Sequence, residues 1–192
     1  MKKGLKIFLI IIAILIALAL IGASWLVRGY NKVVALDEAV SEAWGQVETQ
    51  LQRRYDLIPN LVETVKGYAK HEREVFEKVT QARSMAMNAG TVKEHGQAEN
   101  MLAGALKSLF AVVENYPELK ANQNFLLLQE ELAGTEGKIA YARQFYNDSV
   151  MKFNLRQQVL PSNIVARMFN FKEKEYFEIE EAEAKKPVAV KF

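Results

Sequence analysis

Apolar residues recur at steps of three and four along most of the chain, which is the spacing of one face of an α-helix. Before residue 52 these positions are Val33, Leu36, Val40, Ala43, Val47 and Leu51. Asp56 has the chemistry of a helix N-cap, and Pro59 suits a first helical turn because its missing N–H has no partner there. The sequence therefore predicts a helix end near Arg53–Tyr55, a tight corner, and a new helix from Asp56-Leu57.

Four long helices are predicted after the first 28 residues. They cover about 29–54, 57–88, 92–116 and 122–160. Asn88-Ala89-Gly90 predicts a helix end, because glycine accepts the left-handed conformation at low cost. Thr91 and Glu94 have the spacing of a capping box, and Asn122 suits the N-cap of the last helix. The inward positions of that helix are Phe125, Leu128, Leu132, Thr135, Ile139, Ala142 and Tyr146. Their regular alternation of three and four is typical of a helical bundle.

These elements predict an all-α protein. A single transmembrane helix is followed by a long antiparallel up-and-down four-helix bundle and a short extended C-terminal tail. The predicted domains are an anchor (1–28), a bundle (29–160) and a C-terminal cap and tail (161–192). Ser162 suits the cap of a short helix ending near Met168, and the aromatic residues that follow are expected to cover one end or side of the bundle.

The stretch from Ile7 to Val27 is the predicted membrane anchor. In its 21 residues only Gly22 and Ser24 are not apolar, and such a helix spans roughly the 30 Å of a bilayer core. A cleaved signal peptide is the alternative, but its apolar region is shorter, about 7–15 residues. More positive charge precedes the stretch than closely follows it, which favours a cytoplasmic amino terminus and a bundle on the non-cytoplasmic side. One rigid helix that continues through Gly29, and a membrane segment that ends at Asn31 and forms a hinge, both stay open.

The amino-acid composition excludes several classes of functional site. The chain has no cysteine, which excludes disulfides, thiolate metal sites and a cysteine nucleophile. Four of its 25 basic residues and none of its 23 acidic residues lie in the first 28 positions. The remainder is slightly acidic, which is not the charge pattern of a nucleic-acid-binding protein. With two histidines and no nucleotide, phosphate or hydrolase motif, the sequence predicts no enzyme, metal or cofactor.

The chain resembles the LemA family over nearly its whole length. The stretch QLQRRYDLIPNLVETVKGY (Gln50–Tyr68) carries the resemblance most strongly. Other matching residues are Tyr30-Asn31, Leu36–Glu38, Ala43-Trp44, Tyr116–Lys120, Tyr146-Asn147, Pro161–Asn163 and Tyr176-Phe177. The resemblance implies a bacterial, single-pass, membrane-anchored helical protein, and it supplies no catalytic residues to transfer.

Two stretches are candidates for an interaction surface. The first lies at the predicted corner and comprises Arg53, Arg54, Tyr55, Asp56 and Asn60. It suits the docking of an anionic group or partner, although Asp56 as a cap and the arginines as partners of terminal carbonyls would explain it structurally. The second is the tail with Val190 and Phe192, which could add a strand to a partner domain or pack back onto the bundle.

Other polar and aromatic positions carry weaker signals. Asp37-Glu38 is expected to be solvated surface, with an ion pair to an arginine of a facing helix as the alternative. Asn147 is expected to face water, with a polar group of another helix as the alternative. Core packing is expected for most of Trp44, Tyr55, Tyr68, Tyr116, Tyr141 and Tyr146.

The sequence thus favours a non-enzymatic interaction or scaffold module at the bacterial cell envelope. The alternative is a membrane-attached sensor of a small ligand, with a pocket near Arg53–Tyr55 or in the small-residue seam Ala98–Ala105. A site assembled from dispersed carboxylates is a weaker third hypothesis. The expected partners are the membrane and another protein, and the same helical seams also allow a homo-oligomer.

Overall fold

The computed structural model describes residues 2–178, with side chains from residue 4 onwards. Its helices are α1 (Lys2–Lys66), α2 (Arg73–Met87), α3 (Val92–Val113), α4 (Pro117–Lys120), α5 (Gln123–Gln158) and α6 (Ser162–Met168). No β-strand occurs in this part of the chain. The all-α class and the long apolar amino-terminal helix are therefore confirmed. The up-and-down bundle topology and the three-part domain division stay predictions.

α1 runs without a break from Lys2 to Lys66, so the predicted helix end at Arg53–Tyr55 is wrong. Pro59 lies inside this helix, where a proline removes the N–H that would bind the carbonyl of the residue four positions earlier. That residue is Tyr55, and Arg83 of α2 donates its Nε–H to the Tyr55 carbonyl oxygen over 2.7 Å. A side chain of another helix thus replaces the donor that proline lacks. Asp56 is not an N-cap, and it accepts a 2.8 Å hydrogen bond from Gln52 Nε2 instead.

The chain turns at residues 67–72 instead, so the predicted helix 57–88 is the end of α1 followed by α2. Buried apolar residues continue to the last turn of α1: Ile58, Leu61, Val62 and Val65. Gly67 follows directly, and glycine costs about 1 kcal/mol in a helix relative to alanine. α2 ends at Met87, at the predicted position. The mechanism differs from the prediction, because no described glycine has a positive φ.

The described chain divides into two compact units. Unit 1 comprises the residues up to Ser41 together with Ser149–Lys174. Unit 2 comprises Glu42–Asp148 and the described residues from Glu175 onwards.

Unit 1 contains the apolar end of α1. The side chains of residues 4–25 are all exposed, and α1 is the one described helix long and apolar enough to cross a membrane. α1 continues through Gly29 as an α-helix. α6 packs against it there, since a β-carbon on Gly29 would lie 3.1 Å from Val165 Cγ2. Close approach of the two helices therefore depends on a residue without a side chain.

The ends of α6 are held by hydrogen bonds. Ser162 is not its cap, contrary to the prediction, but its first helical residue. The Ser162 hydroxyl lies 2.8 Å from the Arg156 carbonyl and 3.0 Å from that of Val159, so it ties α6 to the end of α5. At the other end, Asn170 has a φ of 55°. Asparagine tolerates this left-handed conformation, which commonly ends a helix.

Unit 2 contains α2, α3 and α4 with parts of α1 and α5. Lys66 lies over the ring of Phe76, and Tyr55 binds Arg83, so α2 runs antiparallel to the end of α1. Most predicted inward positions here are buried, among them Ala43, Val47, Leu51, Phe125, Leu132, Ile139 and Ala142. The expectation of core packing is wrong for Tyr141, which lies off this face and is 73% exposed, and for Tyr68, which is 40% exposed.

Two helix starts follow the sequence predictions. The Thr91 hydroxyl accepts a hydrogen bond from the Glu94 N–H, and the Glu94 carboxylate accepts one from the Thr91 N–H, which confirms the capping box. Asn122 caps α5, since its Oδ1 accepts a 3.1 Å hydrogen bond from the Phe125 N–H. The Asn122 amide also donates to the Tyr68 hydroxyl over 3.0 Å. The hydroxyl of the exposed Tyr68 thus has a partner at the start of α5.

The role of Arg83 is testable by a double-mutant cycle with Pro59. We expect Arg83→Met to destabilise the fold by about 1–3 kcal/mol, because the Tyr55 carbonyl then loses its donor. In a Pro59→Ala background residue 59 supplies its own N–H, so the same substitution should cost much less. Urea unfolding of the full chain in detergent, followed by circular dichroism, measures both costs. An equal cost of Arg83→Met in the two backgrounds would contradict this explanation.

Candidate functional site

A buried polar cluster links three helices of unit 2. Arg54 on α1 donates from Nη1 to Glu99 Oε2 on α3 over 2.7 Å, and the Tyr55 hydroxyl donates to Glu99 Oε1 over 2.5 Å. The side chains of Arg54 and Glu99 are 5% and 1% exposed. Glu136 on α5 lies 3.3 Å from Arg54 Nη1, but its side chain is 59% exposed. Both oxygens of the buried carboxylate therefore have a donor, and the guanidinium reaches carboxylates on two helices.

Both charges occupy positions that the helical repeat reserves for apolar residues. Arg54 continues the steps of four and three in the buried row Val47, Leu51, Arg54, Ile58, Leu61 and Val65. Glu99 stands similarly in the row Glu99, Leu102, Leu106, Leu109 and Val113. Sequence reasoning named Arg54 and Tyr55 but missed Glu99. A carboxylate in an apolar seam position is the signal that would have found it.

Burial sets the electrostatics of this cluster. It raises the pKa of Glu99 above the usual range of a glutamate, while Arg54 and the Tyr55 hydroxyl act against the rise. It also raises the pKa of Tyr55, and the neighbouring Glu99 carboxylate raises it further. The tyrosine hydroxyl therefore stays protonated and acts as a donor. The cluster can bind or orient through fixed charges and hydrogen bonds.

The remaining predicted site residues separate into two groups. Arg53, Asp56 and Asn60 are exposed. They stand three and four residues apart on the continuous α1, which places them on one helix face. Arg54 and Tyr55 face inward, so the candidate surface is a stripe along a helix rather than a corner. Val190 and Phe192 lie outside the described residues.

Two other polar expectations are corrected by specific contacts. Asp37 is half-buried and binds Lys174 Nζ at 2.7 Å, so it is an ion-pair partner within unit 1 rather than solvated surface. Asn147 does not simply face water. Its Nδ2 donates to the Phe177 carbonyl over 3.2 Å, and its Oδ1 accepts from the Phe177 N–H over 2.8 Å.

The same pair of bonds occurs in unit 1. Asn154 Nδ2 donates to the Lys174 carbonyl, and Asn154 Oδ1 accepts from the Lys174 N–H, both over 2.9 Å. Asn147 and Asn154 are seven residues apart, so they lie on one face of α5. Each asparagine thus binds the donor and the acceptor of one backbone residue in the extended segment after α6.

Trp44 is the centre of an aromatic cluster in unit 2. Its ring lies 5.2 Å from Tyr146, 5.6 Å from Phe177 and 5.4 Å from His95. Nδ1 of His95 is buried without a hydrogen-bond partner among the described residues. A cleft of about 540 Å³ adjoins this histidine. Its lining residues are Glu48, Thr49, Leu51, Gln52, Tyr55, Met87, Ala89 and His95.

Gly96 permits close packing beside this cluster. A β-carbon there would collide with the carbonyl oxygen of Glu178. The main chain after Phe177 therefore crosses α3 at a position where any side chain would displace it. Among the described residues, no group of three or more His, Cys, Asp or Glu side chains could hold a metal ion.

Comparison with known proteins decides the family. The LemA family model matches residues 43–192, which is most of the chain. The protein belongs to the LemA family. This LemA-family chain contains the candidate membrane helix, the buried cluster and the exposed stripe. The match to the family model begins just before Trp44.

Relatives of this LemA-family protein include magnetosome proteins. Magnetosome protein MamQ 2 of Paramagnetospirillum magneticum is 28% identical, with 88% of this chain and 71% of the relative covered. Magnetosome protein MamQ of Magnetospirillum gryphiswaldense is 25% identical, covering 79% and 65%. Protein LemA of Metamycoplasma hominis is 26% identical, covering 80% and 70%.

The buried charge pair of this LemA-family protein predicts a strongly non-additive mutant cycle. Arg54→Met and Glu99→Leu should each destabilise the fold by about 3–5 kcal/mol, because each leaves an uncompensated buried charge. The double variant should cost far less than the sum, since neither charge remains. Chemical unfolding of the four proteins in detergent measures the coupling. Glu136→Gln is the control and should cost less than about 1 kcal/mol, as expected for an exposed carboxylate. Additive single costs would contradict the pair.

His95 predicts a pH dependence of stability. Burial lowers its pKa below the usual histidine value, so the unfolded chain takes up a proton before the folded one does. The free energy of unfolding should therefore fall as the pH drops below about 6.5, by at most about 1.4 kcal/mol per pH unit from this group. His95→Gln should reduce that loss, measured by urea unfolding at about pH 7 and pH 5. His71→Gln is the matched control, and an identical effect of both substitutions would exclude the explanation.

Proposed function

We propose that this protein is a membrane-anchored, non-enzymatic interaction or scaffold module of the bacterial cell envelope. One observation carries the proposal. α1 bears a long exposed apolar segment at its amino-terminal end, and further along the same helix it presents Arg53, Asp56 and Asn60 to solvent. We call these three residues the polar stripe. The apolar segment can span a bilayer, and the polar stripe can bind a partner protein.

The packing of α1 supports a docking role for the polar stripe. The opposite side of this stretch holds the Arg54–Glu99 pair and the buried residues Tyr55 and Ile58. These contacts fix the rotation of α1, so the exposed side chains start from a defined helix face. A preorganised surface loses less conformational freedom on binding than a mobile one. The names of the family and of the magnetosome relatives denote no enzymatic reaction.

The proposed side for unit 2 is the non-cytoplasmic one. Lys2, Lys3 and Lys6 precede the apolar segment, while only Arg28 and Lys32 follow it closely. Basic residues are enriched on the cytoplasmic side of membrane helices. This charge difference supports a cytoplasmic amino terminus and external partners.

The absence of natural cysteines permits a direct test in intact cells. A single cysteine at Asp56 is treated with a membrane-impermeant, thiol-reactive photo-crosslinker, and the adducts are identified by mass spectrometry. We expect one discrete protein adduct, which should weaken when Arg53→Glu is added. Glu130→Cys on α5 is the matched control, because position 130 is exposed but lies outside the polar stripe.

The outcomes separate the parts of the proposal. Identical adducts at positions 56 and 130, or none at position 56, would reject the polar stripe as a docking surface. If position 56 is labelled only in permeabilised cells, unit 2 lies on the cytoplasmic side and the proposed side is wrong. The adducts formed in those cells then test the polar stripe as a docking surface. A small-ligand sensor is the second candidate, favoured by the cleft beside His95. In that case, adducts should not depend on the residues of the polar stripe.

A further inference from the structure

Unit 1 exposes a second set of large apolar side chains, outside the apolar segment of α1. Leu160 is 76% exposed, Met168 61%, Ile164 50% and Phe169 45%. We call these four residues the apolar rim. Ile164 and Met168 are four residues apart on α6, and they therefore lie on one side of it. Leu160 and Phe169 flank the two ends of this short helix.

Contacts place the apolar rim beside the end of the proposed membrane span. Val165 meets α1 at Gly29, and the ring of Phe169 lies 4.5 Å from that of Tyr30. Gly29 is only two residues beyond Val27, a rise of about 3 Å along the helix. The polar layer on each side of a bilayer core is roughly 5–7 Å thick. A helix that packs at Gly29 therefore lies at the depth of the lipid headgroups.

The charge of this region complements anionic lipid. Segments 28–36 and 156–172 contain no acidic residue. Their basic residues are Arg28, Lys32, Arg156, Arg167 and Lys172. Apolar side chains next to basic ones are the composition of surfaces that enter the interfacial layer of a membrane.

We propose that the apolar rim inserts into the interfacial layer of the bilayer that α1 crosses, with anionic lipid headgroups bound by the neighbouring basic residues. The inference rests on the proposed membrane anchorage and adds a second contact to it. α6 then lies in the membrane surface, and Gly29 permits α6 and α1 to enter that layer side by side. A single helix leaves rotation and tilt free, whereas two neighbouring contacts restrict both.

Depth-dependent fluorescence quenching tests the proposal on the full chain. Single cysteines at Leu160, Ile164 and Met168 carry an environment-sensitive dye, and the protein is reconstituted into vesicles of phosphatidylcholine and phosphatidylglycerol with spin-labelled lipid. Ile12→Cys reports on the span itself, and Glu38→Cys is the matched control because position 38 is exposed on α1, about 16 Å along the helix beyond Val27. We expect strong lipid quenching at positions 160, 164, 168 and 12, and none at position 38. Arg167→Glu should reduce the quenching at position 164 but leave that at position 12 unchanged.

Each other outcome overturns the proposal in a distinguishable way. Quenching at position 12 without quenching at 160 and 164 rejects the apolar rim as a membrane contact while the anchor stands. A dye at 164 that is shielded from water but not quenched by lipid means that protein covers the surface, either a second copy or another segment of this chain. No quenching at position 12 rejects the anchor, and the inference with it.

Discussion

The ion pair between Arg54 and Glu99 is the interaction on which the packing of unit 2 depends. Each charge alone would be costly in a dry seam, and both are acceptable only when their atoms meet with good geometry. Two helices that pack only through apolar residues can shift along each other by one turn, because similar side-chain contacts form again. A buried charge pair does not allow such a shift, because the two charges would separate. α1 and α3 therefore have a single register. One residue further, the Tyr55 carbonyl requires Arg83, which fixes α2 against the same turn of α1.

The regular parts of this architecture could be predicted from the sequence. Steps of three and four predict most buried positions of α1 up to Leu51 and of α5, because burial of one stripe is what makes such helices stable. The start of α3 at Thr91 and the cap at Asn122 followed from local chemistry, in which the partner atoms lie within three residues. The apolar segment of α1 was evident from length and composition alone. In each of these cases the cause and its effect are close in sequence.

The errors arose where a distant residue decides the outcome. Pro59 indicated a helix start because a proline within a helix lacks a donor, but the compensating donor is Arg83, 24 positions away. Glu99 is missing from the sequence-based candidates, since nothing nearby in sequence reveals that Arg54 faces it. Asn147 was assigned to solvent because its partner is the main chain of Phe177, which carries no side-chain signal. Long-range polar contacts are therefore the part of this fold that the spacing of apolar residues does not predict.

The asparagine contacts have a consequence for how this sequence can vary. Asn147 and Asn154 hold main-chain atoms of Phe177 and Lys174, and every amino acid except proline offers the same N–H and carbonyl groups. These bonds fix the main chain at residues 174 and 177 independently of the side chains there, and the Lys174–Asp37 pair and the buried Phe177 ring add side-chain contacts. The exposed residues 172, 173, 175 and 176 can therefore diverge between related proteins, or change to alter surface charge, while the route of the chain is preserved. The two asparagines, in contrast, have no such freedom, because a shorter, longer or acidic side chain does not present one donor and one acceptor at the same spacing.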